Sequence, residues 1–451
     1  MSLHIMDSVI YGGDFGSPEM REIFEEKSIV EDWLFFEVTL AKVQAELGLI
    51  PKEASLEIER KGSMEYVKLE RIAEIYRQTY LSSVAMIRAF KEVCEGGAGE
   101  YLHFGATTQD VFDTTLALRI KKAMNLMENE LESIRSKLNH LADAHRQTVM
   151  AGRTHGQQAL PTTFGFKAAV WSEMISDHLE RFKEARKRIL VGSVAGALGN
   201  YASFYLLGGM KCLEMEKKVL DRLGLRSARV TIQPRIERLT EFMTLLALLA
   251  VTFEKIADEI FLLQGNEIGE LEEPFDTENQ VSSSTMPQKR NPNRCELMKA
   301  VSKKIRSNAS AFADIYVRQE RDHAPFYVED LIIPETCILA STILGAANFV
   351  FKGLIVKGEA MRNNLQITKG LIMTEALMLR LAQKTGRKEE AFAMTHRVAM
   401  EAFEAGESFS EYVLENPDIC QHFNEEELRE VLDPMYYLGL NDLLIDRIVQ
   451  G

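Results

Sequence analysis

The chain has 451 residues, 46% hydrophobic and 27% charged, a balance that supports a large buried core and excludes a disordered or low-complexity chain. Its formal net charge is -14, with a pI of about 5.3 and no long Lys/Arg run to offset it, so a nucleic-acid partner is not expected. The five cysteines are scattered without CxxC spacing, which argues against a disulfide framework and a zinc site and fits a reducing, cytoplasmic setting.

The N-terminal residues lack a basic segment followed by an apolar core, so no secretory leader is expected. The longest unbroken apolar run, 245–251, is too short for a bilayer span, and the chain is expected to be soluble with no membrane partner.

Residues 1–110 mix turns with short helices. Pro18-Glu19-Met20 reads as a helix start, and a second helix is predicted over 29–47, ended by Gly48 with Pro51 beyond. In His103-Phe104-Gly105-Ala106-Thr107-Thr108-Gln109-Asp110, the hydroxyls of Thr107 and Thr108 fall just before a helix that would contain Asp110, Asp113 and Thr114. That pattern suits either a grip on carboxylate oxygens or plain helix capping.

From Ile120 the apolar residues Met124, Met127, Leu131, Ile134, Leu138 and Leu141 alternate steps of four and three, predicting a long bundle helix. Leu239, Met243, Leu246, Ala250, Phe253, Ala257 and Ile260 repeat this spacing. Leu245, Leu248 and Leu249 make the other faces of that helix apolar too, which predicts a bundle centre or a subunit interface. Further helices are predicted over 166–190, 210–223, 296–313 and 334–354, and shorter amphipathic ones beyond 360. Strand-like alternation is scarce, so the class is all-α. The expected division is a helical domain over 1–110, a central long-helix bundle over 111–360 and a C-terminal helical domain over 361–451.

Two stretches carry chemistry. Gly152-Arg153-Thr154-His155-Gly156 leaves backbone room around a histidine, a side chain that titrates near neutrality. The second, Ser282-Ser283-Ser284-Thr285-Met286-Pro287-Gln288-Lys289-Arg290-Asn291-Pro292, is a loop, because its prolines fix φ and remove donors. Its backbone N–H groups, with Lys289 and Asn291, are suited to holding an anion.

These stretches resemble the fumarase/aspartase superfamily, whose signature reads Gly-Ser-Ser-x-Met-Pro-x-Lys-x-Asn-Pro; only the leading glycine differs, being Ser282 here. Thr154-His155-Gly156 and the segment 103–110 match two further family motifs in the expected order, so the resemblance covers nearly the whole chain. It implies a long-helix bundle with smaller N- and C-terminal helical domains, and a homotetramer whose sites draw on several subunits. The implied activity is β-elimination of a dicarboxylate without metal or organic cofactor. By the same resemblance, Ser283 is the base and His155 the acid, oriented by Glu296, while Lys289 stabilises the developing carboxylate charge. Thr107, Thr108, Thr154, Ser284, Asn291, Arg238 and Arg321 are the implied substrate contacts.

The wording is nearest the branch containing adenylosuccinate lyase and 3-carboxy-cis,cis-muconate cycloisomerase. Adenylosuccinate lyases resemble one another in an N-terminal Arg-Tyr pair, a second histidine and a Ser-Ser-Ala-Glu-Arg segment. Here Phe15-Gly16-Ser17, Tyr80-Leu81 and Phe326-Tyr327-Val328-Glu329-Asp330 occupy those places. The expected function is therefore a fumarate-releasing C–N lyase acting on a non-nucleotide succinyl compound. The alternatives are a muconate-type lactonising enzyme and a non-catalytic structural protein on the same scaffold.

Overall fold

The computed structural model describes residues 4–281, 283–315, 318–320 and 322–450. The class is all-α, with three two-stranded sheets among the described residues as small additions. Contacts group the chain into two compact units, each gathered from three stretches: residues 1–130, 178–251 and 300–345 form one, and 131–177, 252–299 and 346–451 the other.

In the first unit, helix Glu26–Glu46 packs its Val30, Leu34 and Ala41 against Ile58, Ile72, Ile75, Met86 and Phe90, giving the N-terminal part its own apolar core. Helix Pro18–Ile23 begins at the predicted place, with Ser17 accepting the N–H of Met20 and proline in the first turn. Gly16 and Ser17 donate their N–H groups to Thr342 and Ser341, fixing this entry segment.

The predicted 4-3 helix is real and longer than its apolar stripe, spanning Thr108–Ala144. Ile120, Met124, Met127, Leu131, Ile134 and Leu138 are buried as the spacing requires. The second stripe lies in helix Glu237–Gln264, where Leu239, Met243, Leu246, Phe253 and Ile260 are buried. Its circumference is not covered within one chain, since Leu248 and Val251 are 44% and 50% exposed.

Two predicted boundaries shift. Helix Asn293–Ala313 starts a turn before Glu296, because Glu273 accepts the N–H groups of Arg294 and Cys295 and caps it from outside the local sequence. Pro334, read as a helix start, lies inside helix Ala324–Gly353. By length and composition that helix could also cross a membrane, a feature the search for unbroken apolar runs passed over; 61% of its apolar window is buried in the fold, as in a core helix.

In the second unit, strands Val149–Thr154 and Gln157–Thr163 form an antiparallel hairpin that the all-helical reading did not foresee. Val149 and Ala151 enter the C-terminal core, among Leu365, Met373, Leu377, Phe409 and Val413. That packing seats the hairpin, and with it the Thr-His-Gly motif.

Candidate active site

His155 and Gly156 form the two-residue turn of this hairpin, with φ of 52° and 76°. Positive φ at both positions matches the right-handed twist of the flanking strands. Gly156 adopts it without cost, whereas His155 is held there as an exposed side chain at the tip. The strands pair through a register shift at Gly152 and Arg153, where a Cβ on Gly152 would meet the Leu160 carbonyl oxygen at 2.9 Å.

Arg153 points back into the unit and grips Glu270 with a fork of two hydrogen bonds, 2.9 and 2.5 Å. Glu270 is fully buried and also accepts from Asn364 at 2.7 Å. The carboxylate lifts the Arg153 guanidinium above its ordinary range, burial opposing it. Thr154 and His155 are thus carried by a clamped strand.

The signature loop leaves strand Leu271–Glu272 and returns at helix Asn293–Ala313. Ser282 lies outside the described residues. Ser283 Oγ accepts the N–H groups of Thr285 and Met286 at 3.3 and 3.0 Å. Ser284 and Lys289 are exposed and Asn291 is half-buried. Lys289 closes a turn by donating its N–H to the Met286 carbonyl, and Arg290 anchors the exit by pairing with Glu272 at 2.7 Å. Glu296 is exposed in the first turn of its helix. Within one chain no hydrogen bond or ion pair joins it to His155 among the described residues.

In the first unit, Thr107 is the residue before helix Thr108–Ala144, and its N–H donates to Asp110. Asp110 Oδ1 accepts from Ala195 N and Ser193 Oγ, and Oδ2 from Gly196 N. Burial pushes this carboxyl up, while the backbone donors pull it down. Thr114 exchanges two hydrogen bonds with the backbone of Ser193. Asp110 and Thr114 are therefore the pins of the 193–196 loop, not free ligands for a substrate.

Thr108 bonds to Ser83 at 2.8 Å and lines an open pocket of about 310 Å³ with Gln109, Leu198, Glu320, His323 and Phe326. A narrow neighbouring pocket shares Gln109 and Phe326 and reaches Arg238. Arg238 is buried, with Nη2 3.6 Å from Asp113 Oδ1. Its Nε and Nη1 find no partner among the described residues, so it keeps donors for a ligand although Asp113 counters its charge. Glu329, beside them, is pushed up to about 8 by burial and by Asp113. Arg321 lies outside the described residues. Among the described residues no group of three His, Cys, Asp or Glu side chains could hold a metal.

Residues 13–307 match the profile of a family described as Lyase, and 370–448 match that of the adenylosuccinate lyase C-terminus. The chain is 44% identical to the adenylosuccinate lyase of Methanocaldococcus jannaschii over 97% of its own length and 94% of that protein. The chain belongs to the fumarase/aspartase superfamily. This lyase is also 36% identical to the N-acetyl-S-(2-succino)cysteine lyase of Dickeya dadantii, over 100% of its own length and 98% of that protein. The solved structure of the 3-carboxy-cis,cis-muconate lactonizing enzyme from Pseudomonas putida superposes with a TM-score of 0.89 at 30% identity, covering 98% of each chain. The chain is accordingly an enzyme, a lyase of the fumarate-forming type.

Arg153, Glu270, Glu272 and Glu273 are the site residues that reading the sequence passed over. The acids stand close together just before the loop, but their partners are far away in sequence, and only Arg153 lay inside a recognised motif.

Proposed function

We propose that this lyase releases fumarate from a succinyl compound whose leaving group is an unphosphorylated amine or thiol, with C–N cleavage as its main reaction. Ser283 removes the proton next to a carboxylate, the bond to nitrogen or sulfur breaks as the double bond forms, and His155 protonates the departing group. Loop amides, Lys289 and Asn291 balance the charge on the carboxylate in the transition state. Thr107, Thr108, Thr154 and Ser284 supply hydroxyls for the two carboxylates, and Glu296 orients His155.

The observation that carries the leaving-group assignment is the pocket beside Thr108. Phe326 and His323 meet there at a tilt of 47° with ring centroids 5.0 Å apart, and Glu320 and Asp322 line the same space. In the adjoining space Arg235 pairs with Glu237 at 3.0 Å, and Arg238 is countered by Asp113. A phosphate dianion entering this pocket would meet acids, while an amino-acid-sized group would find an aromatic wall. The likeness to a succinocysteine lyase supports the same reading.

The exposed apolar residues Leu248 and Val251 of the long helix fit coverage by further copies in a homotetramer, and exposed His155 and Glu296 fit sites completed between copies. The test is the ultraviolet absorbance of fumarate formed from N-acetyl-S-(2-succino)cysteine, a panel of N-succinyl amino acids and adenylosuccinate. A kcat/KM greatest for adenylosuccinate overturns the leaving-group assignment, and no fumarate from any of them overturns the whole reading. Lactone formation from carboxymuconate would favour the cycloisomerase-like alternative.

A further inference from the structure

One four-residue segment, 270–273, contains three acids, and each holds a different part of the second unit. Glu270 takes the Arg153 fork, two residues before His155. Glu272 accepts from Arg290 at 2.7 Å on one oxygen and pairs with Lys357 at 2.6 Å on the other. The neighbouring cations draw its carboxyl below the ordinary range against the effect of burial. Glu273 accepts the N–H groups of Arg294 and Cys295, at 3.1 and 2.6 Å, where the helix bearing Glu296 begins.

The segment is itself held. The Glu270 N–H donates to Leu263 and its carbonyl accepts from Lys357; Leu271 and Glu272 pair with Val356 and Ile355. Gln264 closes the arrangement, since its Oε1 accepts from the Glu273 N–H and its Nε2 donates to the Arg290 carbonyl.

We propose that segment 270–273 is the positioning element of the lyase site, fixing the His155 hairpin, the exit of the signature loop and the start of the Glu296 helix to one short strand. The proposal rests on the roles given above to His155, Ser283 and Glu296. None of the three acids touches substrate; they act through the elements they hold. All three acids are buried, and removing one leaves its partners, charged groups or helix N–H donors, without a counterpart.

The test uses the full chain carrying Glu270→Gln, Glu272→Gln, Arg290→Gln, the Glu272→Gln/Arg290→Gln double substitution, or Arg153→Lys. Amide hydrogen exchange is followed at 149–163 and 288–300. Glu270→Gln and Glu272→Gln should each raise exchange at both stretches, by roughly tenfold, because both stretches hang on one strand. A rise confined to the substituted residue's own partner overturns the shared anchor.

Kinetics with N-acetyl-S-(2-succino)cysteine and adenylosuccinate as probes give the second arm. Per folded chain, Glu270→Gln should lower kcat about a hundredfold with KM nearly unchanged, the signature of misplaced catalytic groups. Arg153→Lys keeps the charge but loses the fork and should fall between the parent and Glu270→Gln. The double substitution should cost no more than the worse single one. Unchanged kcat per folded chain overturns the positioning role. If the parent turns over neither probe, the substrate reading has failed, and the exchange arm alone decides the anchor.

Discussion

Asp110 and Gly196 stand 86 residues apart and are joined by a 3.0 Å hydrogen bond from the glycine N–H to Oδ2. The same carboxylate takes the N–H groups of Ala195 and Thr107. It therefore sets where the 193–196 loop meets the first turn of the long helix, next to Thr107 and Thr108. Asp110→Asn keeps the size but turns one acceptor into a donor facing N–H groups. It should destabilise the chain by roughly 3 kcal/mol, measured by denaturant unfolding, with KM rising more than kcat falls. Unchanged stability would show that the loop finds its place without this residue.

Glu329 makes stability depend on pH. Its carboxyl is pushed from the ordinary 4.5 to about 8. Between those values the folded chain keeps a proton that the unfolded chain has released, so stability falls as pH rises through the window, by up to about 1.4 kcal/mol per pH unit. Above the window no further loss comes from this group. Glu329→Gln should flatten the slope and exceed the parent in stability at the alkaline end, as read from denaturant midpoints across the window. An unaltered slope would assign the dependence elsewhere.

Ser283→Ala should lower kcat by about a hundredfold to ten-thousandfold, with circular dichroism unchanged, because the hydroxyl is half-buried in an irregular loop and carries none of the core. His155→Gln should lower kcat by about a hundredfold, with the larger loss for the poorer leaving group of any two substrates compared. Full activity in either variant removes that residue from the mechanism.

Gly152→Val tests the hairpin as a scaffold. Its Cβ would come within 2.9 Å of the Leu160 carbonyl oxygen, a backbone atom that cannot swing aside. The strands must part, and Tm should fall by several degrees together with kcat. A retained Tm with lost activity would place the strain at the tip alone.

The sequence made the long helices legible because their buried residues repeat every three or four positions, as from Ile120 to Leu141. The helix start at Asp110, Asp113 and Thr114 was legible too, but not that it runs unbroken into the 4-3 stripe, since those polar residues interrupt the apolar pattern and are satisfied by other parts of the fold. Ser283, His155 and Lys289 could be proposed from the sequence because their neighbours form compact motifs. Glu270 was not, because its meaning lies in Arg153, 117 residues away. The hairpin was missed for a local reason: Gly152 and Pro161 disrupt the alternation that marks a strand. Pro334 misled in the opposite sense, because burial of Ile333, Cys337 and Ala340 carries the helix through a residue that usually starts or ends one.

The turn at His155 and Gly156 also bears on how this enzyme could change over generations. An imidazole in the left-handed region costs about 1 kcal/mol, whereas Asn-Gly is the preferred pair for such a turn. His155→Asn should therefore raise Tm while lowering kcat about a hundredfold, as for His155→Gln. Drift left to stability alone would favour that exchange, and a single-codon route to a sturdier, slower descendant lies open. On the role proposed for His155, this tip gives up turn stability for an imidazole that can carry a proton.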